Sequence, residues 1–337
     1  MNSLDKDLLF LYSENARFKI KNLSTILKKS SQRLKYSIKV LESEGIISKP
    51  FCIFDYSYFG LILFRVYFKG GYISEKDKSQ IIQKLSENPY VVSMYELSGE
   101  FDLAIEIAAP NPSKFNKELK KIAGLIPTLN NYKIILNLVT HIYPKVYLPK
   151  NLELVNQISQ EIIIGGDRAI ASFDENEMKI IQCILKNPKI RLINLGKESG
   201  LNSKTANTIL KSLIQKRFIR GFKYIVDTNK LGIYKSRLFL KLHNVSPERE
   251  AQLMSFMLAA KEIVQSHKTV GDWDVEIDIE SPDSKKIRYL TIQIREEFKD
   301  LIETFNISEF YQYYERSYLP FFLFQKEENQ KEIATKF

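Results

Sequence analysis

Hydrophobic positions along the chain recur with a helical period at the start of each half and with shorter, strand-like runs after it. Apolar residues three and four positions apart predict three short helices at about 4–12, 22–27 and 31–41. The same pattern returns at about 180–185, 194–197 and 203–213. Two helices joined by a tight turn, the second of them basic, form a helix-turn-helix pattern.

The remainder of each half alternates strands and helices in the order βαββαβ. The predicted elements lie at 61–68, 77–86, 91–97, 103–108, 114–122 and 132–143, and then at 233–242, 248–260, 263–270, 275–280, 285–298 and 309–317. This order predicts a four-stranded antiparallel sheet with both helices on one face. We expect the neighbouring half to cover the other face.

The two halves are copies of one unit. Identical or similar residues recur 172 positions apart, among them Gly60 with Gly232, Arg65 with Arg237, Gly99 with Gly271 and Asp102 with Asp274. Near the end the spacing becomes 171, because Tyr147-Leu148-Pro149 matches Tyr318-Leu319-Pro320. Such a register indicates a tandem duplication. We call the two units copy one and copy two.

The duplication divides the chain into predicted domains of an α+β protein: two tandem copies of a helix-turn-helix domain followed by a ferredoxin-like βαββαβ domain. The helix-turn-helix domains are predicted at 1–52 and 173–224, and the βαββαβ domains at 53–149 and 225–324. A linker at 150–172, partly helical, and a charged tail at 325–337 that frays complete the chain.

The excess of positive over negative charge is confined to the two helical parts. Residues 1–50 hold ten Lys and Arg against five Asp and Glu, and residues 173–222 hold ten against four, whereas the whole chain of 337 residues has a net charge of +10. The remaining residues therefore carry almost no net charge. A charge concentrated twice in this way favours a polyanionic partner, and double-stranded DNA is the one predicted.

Other classes of protein find little support in the sequence. The two cysteines, Cys52 and Cys183, lie in apolar stretches and are predicted to be small core residues. The start of the chain lacks a basic signal segment, and no apolar run is long enough to span a membrane, so a cytoplasmic protein is predicted. No P-loop, dinucleotide fingerprint, catalytic triad or metal-ligand cluster occurs, and we expect no cofactor and no metal.

The third predicted helix of each copy is the candidate for the major groove. Ser31 and Ser203 stand where an N-cap belongs. With the apolar stripe packed inward, the outward residues are of types that contact phosphates and base edges. The predicted DNA-binding residues are Ser31, Gln32, Arg33, Lys35, Tyr36 and Lys39, and Ser203, Lys204, Thr205, Asn207, Thr208 and Lys211. A solvated helix face would favour the same residue types.

These features resemble the leucine-responsive and asparagine-synthase regulator family (Lrp/AsnC) of bacterial and archaeal transcription regulators. The match covers nearly all of both copies, from the helix-turn-helix through Glu44-Gly45-Ile46-Ile47 to Asp55 and Gly60. Its most specific marks are Gly99-Glu100-Phe101-Asp102 and Gly271-Asp272-Trp273-Asp274, which look like the family's Gly-Asp-Tyr-Asp turn. The family's usual chain holds one copy and dimerises through its sheets.

The resemblance implies sequence-specific operator binding and sensing of a small molecule, often an amino acid, by the βαββαβ effector domains. It places the effector near Gly99, Asp102, Gly271 and Asp274, although these residues could equally serve only to build their turns. The fused copies are expected to pair within one chain. Whether chains associate further into homo-oligomers is left open.

Two alternative functions remain besides transcription regulation. Some relatives of the same layout are sirohaem decarboxylases, which carry a His-x-Tyr-Asn-like turn where this chain has Gly-Glu-Phe-Asp and Gly-Asp-Trp-Asp. The three histidines, His141, His243 and His267, occupy no shared repeat position, so we expect no enzyme activity. Non-specific DNA binding through phosphate contacts is the other alternative.

A charge ladder is also predicted within copy two. Glu276, Asp278 and Glu280 alternate along one strand, and Lys235, Arg237 and Lys241 alternate along a candidate neighbour. Three carboxylates on one face of a sheet need cations or water, and cross-strand ion pairs would supply the cations. We therefore expect the two rows to share a face.

Overall fold

The computed structural model describes residues 4–70 and 74–325, so the predicted tail beyond Gln325 lies outside the described residues. Each copy opens with three helices, as the apolar spacing predicted. In copy one they are α1 (Lys6–Glu14), α2 (Ile20–Leu27) and α3 (Ser31–Ser43). Their counterparts in copy two are α6 (Glu175–Lys186), α7 (Leu192–Ser199) and α8 (Ser203–Gln215).

The predicted N-caps of α3 and α8 were wrong by one position. The side chain of Ser30 accepts a hydrogen bond from the backbone N–H of Arg33, and Asn202 does the same for Thr205. A capping side chain bonds the N–H two or three residues into the helix, which makes Ser31 and Ser203 the first helical residues rather than the caps.

A strand follows the helices of each copy, and the sequence pattern did not predict it. Strands β1 (Ile47–Phe54) and β7 (Ile219–Val226) pair antiparallel with each other. Both strands run across the boundaries predicted at 52 and 224. Each is only half covered, so its hydrophobic alternation is weak, and its partner is 172 positions away in the other copy. The ladder joins the two helical parts directly.

The βαββαβ order is confirmed in both copies. Copy one has β2 (Ile62–Phe68), α4 (Glu75–Ser86), β3 (Val91–Ser98), β4 (Leu103–Ala109), α5 (Pro112–Leu125) and β5 (Tyr132–Ile142). After the linker strand β6 (Ile162–Gly165), copy two has β8 (Tyr234–Leu242), α9 (Pro247–Ala259), β9 (Ile263–Val270), β10 (Val275–Ser281), α10 (Ser284–Glu297) and β11 (Ile302–Arg316).

The last strand of copy two begins earlier than the predicted start at 309. Its first half, from Ile302, pairs with β8 of its own copy, and its second half pairs with β3 of copy one. Most residues in the first half are exposed on one face, so they are polar and give little apolar signal. The equivalent strand β5 divides its partners in the same way, between β2 of copy one and β9 of copy two.

These exchanges join the two sheets into one structure. The strand order is β2-β4-β3-β11-β8-β10-β9-β5-β6, and the additional pairing of β2 with β5 closes the sheet on itself. We call it the closed sheet. Strand β6, from the linker, extends β5 outside the closure. The linker is also partly helical, with a short 3-10 turn at Leu152–Gln157.

Most strands of the closed sheet are buried on both faces, whereas β11 keeps many exposed residues. Outward residues pack under the helices of their own copy, such as Phe64 against Phe115 in copy one and Leu240 with Ile294 in copy two. Inward residues of the two copies meet in a shared interior, where Tyr67 and Tyr95 pack with Phe239 and Trp273. The expectation that each copy covers the open sheet face of the other is confirmed. Among the described residues, no helix has the length and apolar character of a membrane span.

Candidate functional site

The two recognition helices expose the residues predicted to meet DNA. In α3, Leu34, Ile38 and Leu41 are buried, and all six predicted DNA-binding residues are exposed. In α8, Lys204, Thr208 and Lys211 are exposed, whereas Ser203, Thr205 and Asn207 are half-buried. The surface of copy one therefore offers more side chains to a partner than the surface of copy two.

The basic side chains on these helices have no carboxylate partners. Within residues 4–70 and 74–325, no ion pair involves Arg33, Lys35 or Lys39 of α3, or Lys204 or Lys211 of α8. Unpaired, exposed cations can release counterions when they contact phosphates. Their contribution to folding is small, because an exposed charge is well solvated without a partner.

The two helical parts are held together by contacts between the copies. The guanidinium of Arg17 donates to the backbone oxygens of Pro188 at 2.7 Å and Ile190 at 3.3 Å. The hydroxyl of Tyr12 lies 3.0 Å from that of Tyr224 and accepts from Lys189 Nζ at 2.7 Å. Together with the β1–β7 ladder, these bonds couple the two recognition helices through one shared framework.

The two Gly-x-x-Asp turns lie at one end of the closed sheet and face each other. Lys133 Nζ on β5 contacts Asp272 of one turn at 2.7 Å and Glu100 of the other at 3.3 Å. The rings of Phe101 and Trp273 are 5.8 Å apart between centroids. A cleft of about 310 Å³ opens here, lined by charged groups including Glu100, Lys133 and Lys241.

The aspartates among the predicted effector residues tie each turn to the end of the first sheet strand of its own copy. Asp102 accepts a hydrogen bond from the N–H of Gly70 at 2.5 Å, and Asp274 accepts from Leu242 at 2.8 Å. Gly271 has a φ of 150°, and a Cβ there would lie 2.7 Å from Ile135 Cδ1, so only glycine lets this turn approach β5 of copy one. The sequence did not single out Lys133, because its role depends on the pairing of copies.

The interior between the sheets holds a network of buried charges, which we call the interior network. Its members are Arg65, Glu106, Arg237, His267, Glu276 and Asp278, all at most 8% exposed. Arg65 Nε donates to Glu106 at 2.6 Å, and Arg237 Nε and Nη2 donate to the two oxygens of Asp278 at 2.6 and 2.9 Å. These two pairs are equivalent under the repeat.

One carboxylate of the interior network joins the two copies. Glu276 of copy two contacts Arg65 Nη1 of copy one and lies 3.5 Å from Arg237 Nη1. Its other oxygen accepts from Trp273 Nε1 at 2.7 Å. Glu106 accepts from Nε of Arg65, and Glu276 adds a second carboxylate at Nη1. The charge of this guanidinium is therefore balanced in an interior that excludes water.

His267 accepts a hydrogen bond from Arg65 in this network. Its Nδ1 lies 2.7 Å from Arg65 Nη2 and 2.8 Å from Thr140 Oγ1. Arginine can only donate, so Nδ1 carries no hydrogen and the ring is neutral. Burial and then the positive charge of Arg65 lower the pKa of His267 well below its usual range.

The predicted charge ladder is confirmed for two of its three rungs. Asp278 lies opposite Arg237 and pairs with it, and Glu280 lies opposite Lys235 at 3.3 Å. The third rung was wrong, because the register places Phe239 opposite Glu276. Lys241 instead pairs with Asp274 at 3.2 Å. Although burial alone would raise the pKa of Glu280, Lys145 and Lys235 lower it to about 2.

Comparison with known proteins shows the family. A winged helix-turn-helix DNA-binding model matches residues 1–48 and, again, 173–220. The HTH-type transcriptional regulator FL11 of Pyrococcus abyssi is 30% identical over 116 residues, which are 34% of this chain and 76% of that relative. The chain belongs to the Lrp/AsnC-type winged helix-turn-helix family.

A second family relative matches over a similar length. The proline dehydrogenase transcriptional activator of Rhizobium radiobacter is 26% identical over 118 residues, or 34% of this chain and 74% of the relative. Each of these matches spans about one copy of the Lrp/AsnC-type unit, so this chain carries the unit twice.

One solved structure matches the tandem arrangement as a whole. The crystal structure of the siroheme decarboxylase NirDL has a TM-score of 0.58 and 14% identity, and the match covers 99% of this chain and 97% of that one. At this identity, the likeness shows a shared fold. Two Lrp-like units joined in one chain are thus an architecture that this protein shares with NirDL.

Proposed function

We propose that this chain is a sequence-specific DNA-binding transcription regulator in which the two copies form the dimer-like unit that other Lrp/AsnC-type proteins build from two chains. The observation that carries the proposal is the contrast between two sets of charges. Cations in the interior network are paired with carboxylates, whereas those on α3 and α8 are exposed and unpaired within the described residues. An unpaired basic face on a helix-turn-helix is suited to a phosphate backbone.

The geometry around the recognition helices supports simultaneous use of both copies. The β1–β7 ladder and the contacts of Arg17 couple the two helical parts, so binding by one helix positions the other. The outward residues differ between the copies: Arg33 and Lys35 favour guanine edges, and Asn207 favours adenine. We therefore expect the operator to consist of two unlike half-sites rather than a perfect palindrome.

Fluorescence anisotropy tests this proposal. The purified protein is titrated with a duplex from its own upstream region and with a random duplex of the same length, at several salt concentrations. The proposal expects tighter binding to the upstream duplex and a linear fall of log affinity with log salt. Equal affinity for the two duplexes would indicate non-specific coating, and no binding at low salt would remove DNA from the function.

The effector part of the proposal concerns the cleft between the two turns. Asp102 and Asp274 are engaged with backbone N–H groups, and the charged groups that line this cleft are Glu100, Lys133, Lys241 and Asp272. Charges of both signs next to Trp273 suit a zwitterion with an apolar side chain, such as an amino acid. Calorimetric titration with the common amino acids, on the wild type and on Lys133→Met, should give binding that the variant loses.

A sirohaem decarboxylase is the second candidate, favoured by the whole-chain likeness to NirDL. Decarboxylation of a macrocycle needs a proton donor that reaches the substrate. His267, the most enclosed of the three histidines, is 1% exposed and surrounded by Arg65, Thr140 and the strands of the closed sheet. When sirohaem is added to the protein, we therefore expect the absorption spectrum of the sirohaem to stay unchanged. A shift of that spectrum with saturable binding would favour the enzyme.

A further inference from the structure

A cleft of about 370 Å³ lies where the winged helix-turn-helix parts meet the closed sheet. It is lined by Phe51 of β1, by Pro188 after α6 and by Arg316 at the end of β11. Its size falls in the range of small-molecule sites, and elements of both copies form it.

Arg316 has no carboxylate partner in this cleft. Its Nη2 donates to Gln265 Oε1 at 2.6 Å and to Tyr318 Oη at 3.1 Å. The guanidinium carbon lies 4.9 Å from the ring centroid of Phe51 and 4.4 Å from that of Tyr313. Within residues 4–70 and 74–325, no ion pair and no other hydrogen bond occupies Nε or Nη1. The two aromatic rings hold the guanidinium group in place, while its Nε and Nη1 donors have no partner among the described residues.

The repeat shows what Arg316 lacks. Its counterpart in copy one is Lys145, which contacts Glu280. Glu280 also accepts a hydrogen bond from Tyr147 at 2.5 Å, and Tyr147 is the counterpart of Tyr318. The position equivalent to Glu280 in copy one is Ala108. A cation and a tyrosine are therefore present at this position in both copies. A carboxylate faces them only in copy one, where Glu280 contacts Lys145 and Tyr147.

The remaining groups of the cleft define its chemistry. Lys49 and Lys186 add two exposed cations, and Glu315 adds one carboxylate, so with Arg316 the lining carries a net charge of about +2. The other lining is mostly apolar, and Phe51 and Phe321 provide aromatic walls. A cleft of this kind suits an anionic head and an apolar body.

We propose that this cleft binds a small organic carboxylate with an aromatic or branched aliphatic body, and that the carboxylate takes the place at Arg316 that Glu280 takes at Lys145. The proposal does not depend on DNA binding, because ligand binding is measured on the protein alone. It concerns a site at the opposite end of the closed sheet from the Gly-x-x-Asp turns. A carboxylate oxygen that accepts from Nη1 or from Nε would satisfy one of the two open donors with a charge-assisted hydrogen bond.

Isothermal titration of the full chain tests the site with phenylacetate, 3-phenylpropionate and 4-methylpentanoate. We expect at least one of them to bind, and phenylacetamide, the neutral analogue, not to bind. Arg316→Gln should weaken binding by about tenfold or more, since it removes a charge-assisted hydrogen bond, and Arg316→Lys should retain part of the affinity. No binding of any of the three carboxylates at millimolar concentration would overturn the proposal.

A matched control comes from the equivalent cleft of the other copy, which is lined by Glu14, Arg220 and Phe222. Arg220→Gln removes one cation there and should leave the affinity unchanged. If it weakens binding as much as Arg316→Gln does, the site has been misplaced. Should Arg316→Gln fail to fold, the exposed pair Lys49→Gln and Lys186→Gln offers a second test. It should weaken binding several-fold, and unchanged affinity would count against the proposal.

Discussion

The two copies share one fold, yet their interiors carry different charges. Both keep the central pair, Arg65 with Glu106 in copy one and Arg237 with Asp278 in copy two. Around it, copy two has Lys235, Glu276 and Glu280 where the equivalent positions of copy one have Leu63, Ala104 and Ala108. The extra carboxylates of copy two are paired across the interface, Glu276 with Arg65 and Glu280 with Lys145 of copy one.

This difference shows what the fusion permits. In a symmetric homodimer every substitution appears in both subunits. A new buried carboxylate at the interface would therefore face the identical carboxylate of the other subunit as well as its cation. In the fused chain, Glu276 has no identical counterpart, and one glutamate can bridge two different arginines. The copies can therefore become specialised: in these two contacts between them, copy one supplies the cations and copy two supplies the carboxylates, so the pairing of the two halves becomes specific.

The largest effect is expected from removing that bridge. Glu276→Gln should destabilise the protein by about 3–5 kcal/mol, because it leaves the buried guanidinium of Arg65 with one carboxylate instead of two. Urea unfolding measures the change. The matched control is Asp300→Asn in the exposed pair with Arg249, which should have no measurable effect. Equal effects of the two variants would contradict the account of the interior network.

The stability of the protein is expected to depend on pH through His267 of copy two. The equivalent position in copy one is Tyr95, so copy one has no such histidine. The pKa of His267 is lowered in the folded protein, so below about pH 6.5 the unfolded chain binds a proton that the folded chain does not. Stability should thus fall as the pH drops from 6.5 to 5, with a limiting slope of about 1.4 kcal/mol per pH unit.

The variant His267→Gln tests the contribution of His267 to this pH dependence. It removes the titrating ring, but a glutamine oxygen can still accept the hydrogen bond from Arg65. Its unfolding free energy should depend less on pH in this window, and an unchanged slope would show that another group titrates. The lowered pKa of Asp278 and that of Glu280 act in the same direction but at lower pH, since those carboxylates lose their contribution only as the pH falls below the unfolded values near 4.

The smallest expected effects separate the helix caps from their neighbours. Asn202→Ala should cost about 1 kcal/mol of stability, since the N–H of Thr205 loses its acceptor, and Ser203→Ala should cost much less. The pair Ser30→Ala and Ser31→Ala repeats the comparison in copy one. Thermal unfolding distinguishes the members of each pair. A larger loss from the Ser203 variant would restore the cap position first expected from the sequence.

The sequence predicted elements that bury a continuous apolar face. The helices α1–α3 and the strands of the βαββαβ units follow strong local periodicity, and the repeat confirmed each assignment by a second example. Strands β1, β6 and β7 and the early half of β11 were missed because their partners lie far away in sequence and their exposed faces are polar. Local patterns contain no information about such partners.

The candidate sites divide in the same way. The outward residues of α3 follow from helix geometry and are exposed as predicted. Contacts between the copies could not be predicted, because they depend on how two sheets close: the pairing of Arg65 with Glu276 is one, and the bridge of Lys133 to Asp272 is another. The ladder between β8 and β10 was accessible from the sequence since both strands belong to one copy.

The most direct test of the central claim, that both copies act together on DNA, compares variants that weaken each recognition helix. Lys35→Gln with Lys39→Gln changes α3, and Lys204→Gln with Lys211→Gln changes α8. In anisotropy titrations against salt on the upstream duplex, each pair should lower the slope of log affinity on log salt by about 0.9 per lysine that contacts a phosphate. A slope unchanged from the wild type in either variant, or a wild type that binds no DNA at low salt, would contradict the account.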